Sequence, residues 1–222
     1  MIAAWVDLSP IVLSFQLAFW SFLILFPLGI ASGFVLLHLS PFWKKCFKIV
    51  LTLPWVLPPS VLGFYFLLIL NPNQGLGKWL LQYFNLRLVF SFEGIVVATT
   101  LFSLPFFLQP LLAALENLPS SLSEAAYTLG KTRWQTYLYV LLPSVRNTLF
   151  NIAVLTFAHS LGEFGLVLMI GGNIPTETRV ASIAIFSELE ALHWTEAHIY
   201  STIMLVLAIF FLAIAHWKIT PQ

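Results

Sequence analysis

Ser121-Leu122-Ser123-Glu124-Ala125-Ala126-Tyr127-Thr128-Leu129-Gly130 and, nine residues further on, Val140-Leu141-Leu142-Pro143 lie between two long apolar runs, where a membrane protein would normally place a short polar loop. The Ser-x-x-Glu spacing of Ser121 and Glu124 suits a capping box, with Pro119 upstream to stop the preceding span. Leu122, Ala125, Ala126 and Leu129 fall at i, i+3, i+4 and i+7, one narrow apolar stripe. Gly130 supplies the left-handed residue that closes such a helix. Thr132-Arg133-Trp134-Gln135 repeats the capping pattern for a second helix, running to Leu142 before Pro143. Residues 119–143 thus read either as an amphipathic hairpin lying at the interface or as a rigid knob for a groove on a cytoplasmic protein. Two capped helices exceed what a bare connection needs, which favours the knob. Ala125 and Ala126 would permit close approach, and Glu124 would act as a cap or meet a basic residue of the groove.

The surroundings set the class. Of 222 residues, 59% are hydrophobic and 9% charged, against roughly a quarter charged in soluble domains. The expectation is an all-α, polytopic membrane protein of one domain, residues 8–218. Apolar runs of about 20 residues occur five times, at 11–37, 49–70, 94–115, 148–170 and 199–217. The fourth holds His159 and Glu163. A sixth segment, 178–192, is apolar on one side but carries Arg179, Glu188 and Glu190, so it is expected at an interface rather than across the bilayer. The N-terminus has Asp7 and no basic run, which favours a retained span over a cleaved signal peptide.

Loop charge sets orientation. Lys44, Lys45, Lys48, Lys131, Arg133, Arg146 and Lys218 fall on one side, and Lys78, Arg87 and Arg179 on the other. The first loop, the connector and the C-terminus are therefore expected in the cytoplasm and the N-terminus outside. A net charge of +1 without a basic cluster gives no reason to expect nucleic-acid binding. Cys46 is the single cysteine, read as a small apolar filler. No phosphate-binding glycine loop with lysine is present, so the chain is not an ATPase and is expected to hold no cofactor of its own.

Leu53-Pro54-Trp55-Val56-Leu57-Pro58-Pro59-Ser60 predicts a kinked or broken second span, whether for packing or as a flexible wall of a path. Pro105 and Pro110 raise the same two readings for the third. Glu163 costs about 2.5–3.5 kcal/mol on insertion scales for such a group, so it needs a partner, protonation or water. His159, four residues earlier, shares its helix face, and Gly162 and Gly165 would admit a neighbouring helix. His159, Ser160, Gly162, Glu163 and Gly165 are thus candidates for helix packing or for lining a gate. Direct anion coordination by Glu163 is disfavoured because a carboxylate repels an anion. Asn173, Thr176, Thr178 and Arg179 offer donors for an oxyanion or a docked protein, or form an ordinary polar loop. His193 and His198 beside Trp194 suit the interface; no ligand cluster accompanies them, so no metal site is expected.

The pattern Glu124-Ala125-Ala126, Gly130, Val140 and Leu142-Pro143 resembles the EAA loop of type I ABC importer permeases, with Val140 where isoleucine is usual. That resemblance implies a permease with five spans, docking on an ATPase subunit through Glu124, Ala125, Ala126, Leu129, Gly130, Leu142 and Pro143. It also implies two copies of the chain, two ATPase subunits that bind ATP and Mg, and an extracytoplasmic oxyanion-binding protein. His159-Ser160-Leu161-Gly162-Glu163-Phe164-Gly165 and Asn173-Ile174-Pro175-Thr176-Glu177-Thr178-Arg179 look like segments of ModB-type molybdate permeases, with His159 where many carry arginine. Sulfate permeases share the first of these, which keeps sulfate or thiosulfate open as cargo. A proton-coupled carrier using His159 and Glu163 as a relay is the rival from another class.

Overall fold

The computed structural model describes residues 7–217, and every regular element among them is helical. Lys218, counted above for orientation and as the last residue of the domain, lies outside the described residues. Helix α1 (Ser9–His38) leads into α2 (Pro41–Val56), α3 (Pro59–Ile69), α4 (Gly75–Phe84) and α5 (Phe92–Glu116). The connector contains α6 (Ser120–Thr128), α7 (Arg133–Thr136), a π-helical turn (Tyr137–Leu141) and the short α8 (Leu142–Ser144). Helices α9 (Arg146–Leu161), α10 (Gly165–Gly171), α11 (Ala181–Glu190) and α12 (Trp194–Trp217) follow.

Among the described residues, α1, α5 and α12 are each long and apolar enough to cross a bilayer. Two bent pairs, α2 with α3 and the 133–144 segment with α9, bring the candidate spans to five. The buried share of an 18-residue apolar window in each long helix orders them: 67% for α5, 33% for α1 and 11% for α12. Helix α5 is therefore the spine, and α12 keeps most of its surface outward. Ser91 caps α5 by accepting from the Gly94 N–H at 3.2 Å. Pro105 and Pro110 lie inside α5 without breaking it.

Two cores flank the spine. At one end Leu17 of α1, Ile95 and Phe102 of α5, Leu166 and Ile170 of α10, and Ile183 of α11 pack together. At the other, Leu25, Phe107 and Leu111 pack with Tyr137, Leu141 and Leu142 of the connector. The connector is therefore part of the bundle's core at that end. Gly33 makes this possible, since a Cβ there would sit 2.8 Å from the Tyr137 hydroxyl and 3.2 Å from Leu111.

The second span is broken rather than kinked. Leu57 and Pro58, each followed by a proline, are extended (ψ 138° and 137°), as a following ring demands. The two helices meet at 112°. Helix α2 begins at Pro41, so Lys44, Lys45 and Lys48 sit in a helix instead of the expected loop. The expected continuous run 148–170 is also corrected: α9 stops at Leu161, and Gly162, Glu163 and Phe164 are non-helical before α10. The 178–192 segment contains a ten-residue helix, α11, with Ala181, Ile183 and Ala184 buried. Helix α4 had no counterpart in the sequence reading; Asn85 ends it in the left-handed region at φ 51°.

Candidate functional site

The two breaks meet. Helix α10 packs along α3, and Gly165 allows it, because a Cβ there would fall 3.3 Å from Pro59 and Ser60. Gly162 has no such role: a Cβ would meet nothing closer than its own helix's His159 carbonyl at 3.9 Å. Between the breaks lies a cavity of about 350 Å³, lined by Trp55, Leu57 and Pro59 on one side and Phe106, His159 and Glu163 on the other.

The His159 ring stacks on Phe106 (centroids 4.1 Å apart) and more distantly on Phe102 (5.8 Å), while Trp55 stacks on Phe106 from the other chain segment (5.4 Å). His159 Nε2 is 3.8 Å from Glu163 Oε2, beyond hydrogen-bond reach, so the hydrogen-bonded pair that i,i+4 spacing would allow is not formed. The physical reason is the break itself: Glu163 is no longer on the helix of His159. Glu163 Oε1 accepts from the Leu166 N–H at 3.4 Å, and its carbonyl accepts from the Ser182 hydroxyl at 2.7 Å. The carboxylate thus sits at the N-terminus of α10, where free N–H groups favour negative charge. Ser160 points elsewhere, 3.3 Å from Ser103 of α5, and donates to the Thr156 carbonyl. It ties α9 to the spine.

The connector presents a second surface. Gly130 has φ 76°, its N–H donates to the Tyr127 carbonyl at 2.9 Å, and the Lys131 N–H donates to the Ala126 carbonyl at 3.1 Å, a complete Schellman closure. Thr132 and Gln135 form the expected reciprocal capping box. The box at Ser121 and Glu124 does not form. Pro119 takes the cap position and has no N–H for a glutamate to accept from, so the helix starts at Ser120 and Ser121 lies inside it. The second helix does not stop before Pro143 either. The Leu142 N–H reaches back to Tyr137 in a π-helical step, and Pro143 falls in the first turn of α8, where its missing N–H is tolerated.

The expected apolar stripe also divides. Ala126 is buried and Leu122 half-buried against the bundle, while Leu129 is 81% exposed beside exposed Glu124, Ala125 and Tyr127. Leu142 is buried in the core and Pro143 is exposed. Tyr137 fastens the unit to α1: it is fully buried and donates to the Ile30 carbonyl at 2.8 Å, with Phe34 and Trp134 meeting edge to face at 4.6 Å. The sequence reading missed Tyr137, whose aromatic ring at a helix-to-helix junction was its only signal.

At the opposite end of the spine, Arg179 Nε donates to Asn173 Oδ1 and Asn173 Nδ2 donates to Ser187, both at 2.7 Å. Thr176 is exposed with φ 64°. Thr178 is not available to a ligand, contrary to expectation. It is fully buried, donating to the Gly171 carbonyl at 2.7 Å and accepting from the Ile174 N–H at 3.1 Å, so it holds the loop. His193 contacts Glu188 at 2.8 Å.

Spans broken in pairs about a shared cavity, with a structured connector locked into the core at one end, are the build of a membrane transport subunit. The chain belongs to the family of binding-protein-dependent transport system inner membrane components, whose model matches residues 10–217. It is an ABC importer permease, multi-pass in the inner membrane. It is 41% identical over 193 residues to the molybdenum transport system permease protein ModB of Azotobacter vinelandii, covering 86% of this chain and 85% of that one. It is 31% identical over 205 residues to a probable sulfate transport system permease protein, cysT, of Chlorella vulgaris, covering 92% and 77%. Its fold matches a bacterial ABC transporter involved in the import of the acidic polysaccharide alginate, with a TM-score of 0.77 at 20% identity over 96% of this chain and 80% of that one.

Proposed function

We propose that this permease carries molybdate, and tungstate with it, across the cytoplasmic membrane by ATP-driven alternating access. The observation that carries the cargo is the 41% identity to ModB of Azotobacter vinelandii, set against 31–35% to the sulfate permeases named cysT. Residues 8–218 act as one transmembrane domain, and two copies of it form the pathway at their interface. The N-terminus lies outside and the C-terminus in the cytoplasm.

Two ATPase subunits, which bind the ATP and Mg, dock on residues 119–143 through the exposed Glu124, Ala125, Leu129 and Gly130. The exposed Pro143 belongs to the same surface, and Ala126 and Leu142 shape it from behind. Closure of the ATPases moves the connector, and Tyr137 transmits the motion to α1. Nucleotide need only bind one of two states more strongly for this to work. An oxyanion-binding protein delivers cargo to the face that bears Asn173, Thr176 and Arg179.

The cavity between the helix breaks lies on the path, and Glu163 there keeps anion binding weak. A lining that held a dianion tightly would release it slowly. The sulfate reading has its own support, the 92% of this chain that aligns with cysT. Uptake of labelled molybdate and labelled sulfate by the reconstituted complex separates the two: sulfate transport with indifference to molybdate would overturn the cargo.

A further inference from the structure

The cavity at the helix breaks adjoins a second, of about 430 Å³, which shares Trp55, Phe106 and His159 with it. The second adjoins a third, of about 200 Å³, sharing Gln109 and Ala113. A water occupies about 30 Å³ of liquid, so even the smallest has room for a solvated small anion. All three lie against α5, and the row ends at Lys48, Thr52 and Glu116, at the connector end of the spine. Polarity changes along it. Aromatic rings and one carboxylate line the start, whereas the Lys48 ammonium, the Glu116 carboxylate and the Gln109 amide line the finish, with Lys44 reaching Glu116 from beside it.

Glu116 is the last residue of α5. Its Oε1 lies 3.2 Å from Lys44 Nζ and its Oε2 lies 2.9 Å from Lys48 Nζ. Lys48 Nζ also donates to Oε1 at 3.3 Å, so two ammonium groups one turn apart on α2 together grip both oxygens of one carboxylate, the arrangement in which they would grip an oxyanion. Thr52 and Gln109 stand beside them: Gln109 Nε2 donates to the Leu51 carbonyl at 3.1 Å and is 3.5 Å from Thr52 Oγ1. The side chains are 23%, 44% and 33% exposed for Lys44, Lys48 and Glu116. Ion pairs this accessible are weak enough to exchange partners.

We propose that Lys44 and Lys48 form the exit station for a tetrahedral oxyanion leaving this row of cavities, and that Glu116 is its built-in competitor. A dianion bridging both lysines at once would leave more slowly than one held by a single ammonium. A tethered carboxylate at high effective concentration takes both ammonium groups as the anion departs, so release does not wait on spontaneous dissociation. The inference rests on the oxyanion-import reading and deepens it, since it assigns residues where that reading names none.

The test is equilibrium binding of labelled molybdate, with labelled sulfate as a second probe, to the purified permease–ATPase complex, beside uptake in proteoliposomes. Glu116→Gln is expected to tighten binding about threefold and slow uptake, and Lys44→Ala/Lys48→Ala to weaken binding about threefold, the worth of an exposed charge pair. Lys48→Ala alone should fall between wild type and the double variant, and Glu116→Asp should restore wild-type values. If the ion pairs merely tie α2 to α5, the glutamate and lysine variants will shift binding in the same direction, which overturns the proposal. A wild-type complex that moves neither oxyanion overturns the import reading as well. Transport by wild type with parallel shifts in the variants overturns the exit station alone.

Discussion

Replacing Gly130 with alanine separates the backbone shape of the connector from its packing. Gly130 has φ 76°, and a Cβ built there meets nothing within 4 Å, so no clash accompanies the change. An L-residue in the left-handed region costs about 1–2 kcal/mol. That strain falls on the paired hydrogen bonds from Gly130 and Lys131 to Tyr127 and Ala126. Because the turn is exposed, the free subunit can relieve the strain by unwinding it, and docking must then restore the native turn. Affinity for the ATPase should therefore fall about 5- to 30-fold, at about 1.4 kcal/mol per factor of ten. Gly130→Asn should lose less, since asparagine visits this region more readily, and Gly130→Val should lose more. The assay is binding of purified ATPase subunit to the permease in lipid nanodiscs, with thermal unfolding of the permease as a control that should stay within a few degrees of wild type. Wild-type affinity for Gly130→Ala, or equal losses for Asn and Val, would refute the reasoning.

Tyr137→Phe removes a buried hydrogen bond to the Ile30 carbonyl and should cost about 0.5–1.5 kcal/mol, seen as a lower denaturation midpoint in detergent. Gly33→Ala forces a methyl against the Tyr137 hydroxyl and should cost about 1–3 kcal/mol. Combined with Tyr137→Phe it should cost less than the sum, and strict additivity would show that the two do not touch. Glu163→Ala strips the side-chain acceptor from the start of α10 and should lower stability by about 0.5–2 kcal/mol. Glu163→Gln keeps an acceptor oxygen and should stay near wild type in thermal unfolding. Equal losses in the two variants would mean that the charge, not the hydrogen bond, holds the break.

Much of the architecture was legible because bilayer helices must be long and apolar, and because proline acts locally. Leu57-Pro58-Pro59 announces its break through the missing N–H groups and the extended residue before each ring. Gly130 and the Thr132–Gln135 box were legible for the same reason: their chemistry is confined to a few adjacent residues. The misses needed partners distant in sequence. Glu163 leaves its expected helix because α10 packs on α3, a contact that no local spacing encodes. Thr178 is consumed by Gly171 and Ile174 within a loop whose fold the sequence does not announce. Helix α4 is only ten residues, too short for its apolar pattern to stand out as a span. At Ser121 two local signals competed, and Pro119 displaced the capping box by taking the cap position itself.

As proposed, this chain is the membrane half of an ATP-driven oxyanion importer, worked through its connector. The most direct test is uptake of labelled molybdate into proteoliposomes holding the permease with its ATPase, with oxyanion-binding protein outside and ATP within. Accumulation is expected that requires both ATP and the binding protein and is abolished by Gly130→Val. Uptake that survives removal of the ATPase and collapses with the proton gradient would contradict it.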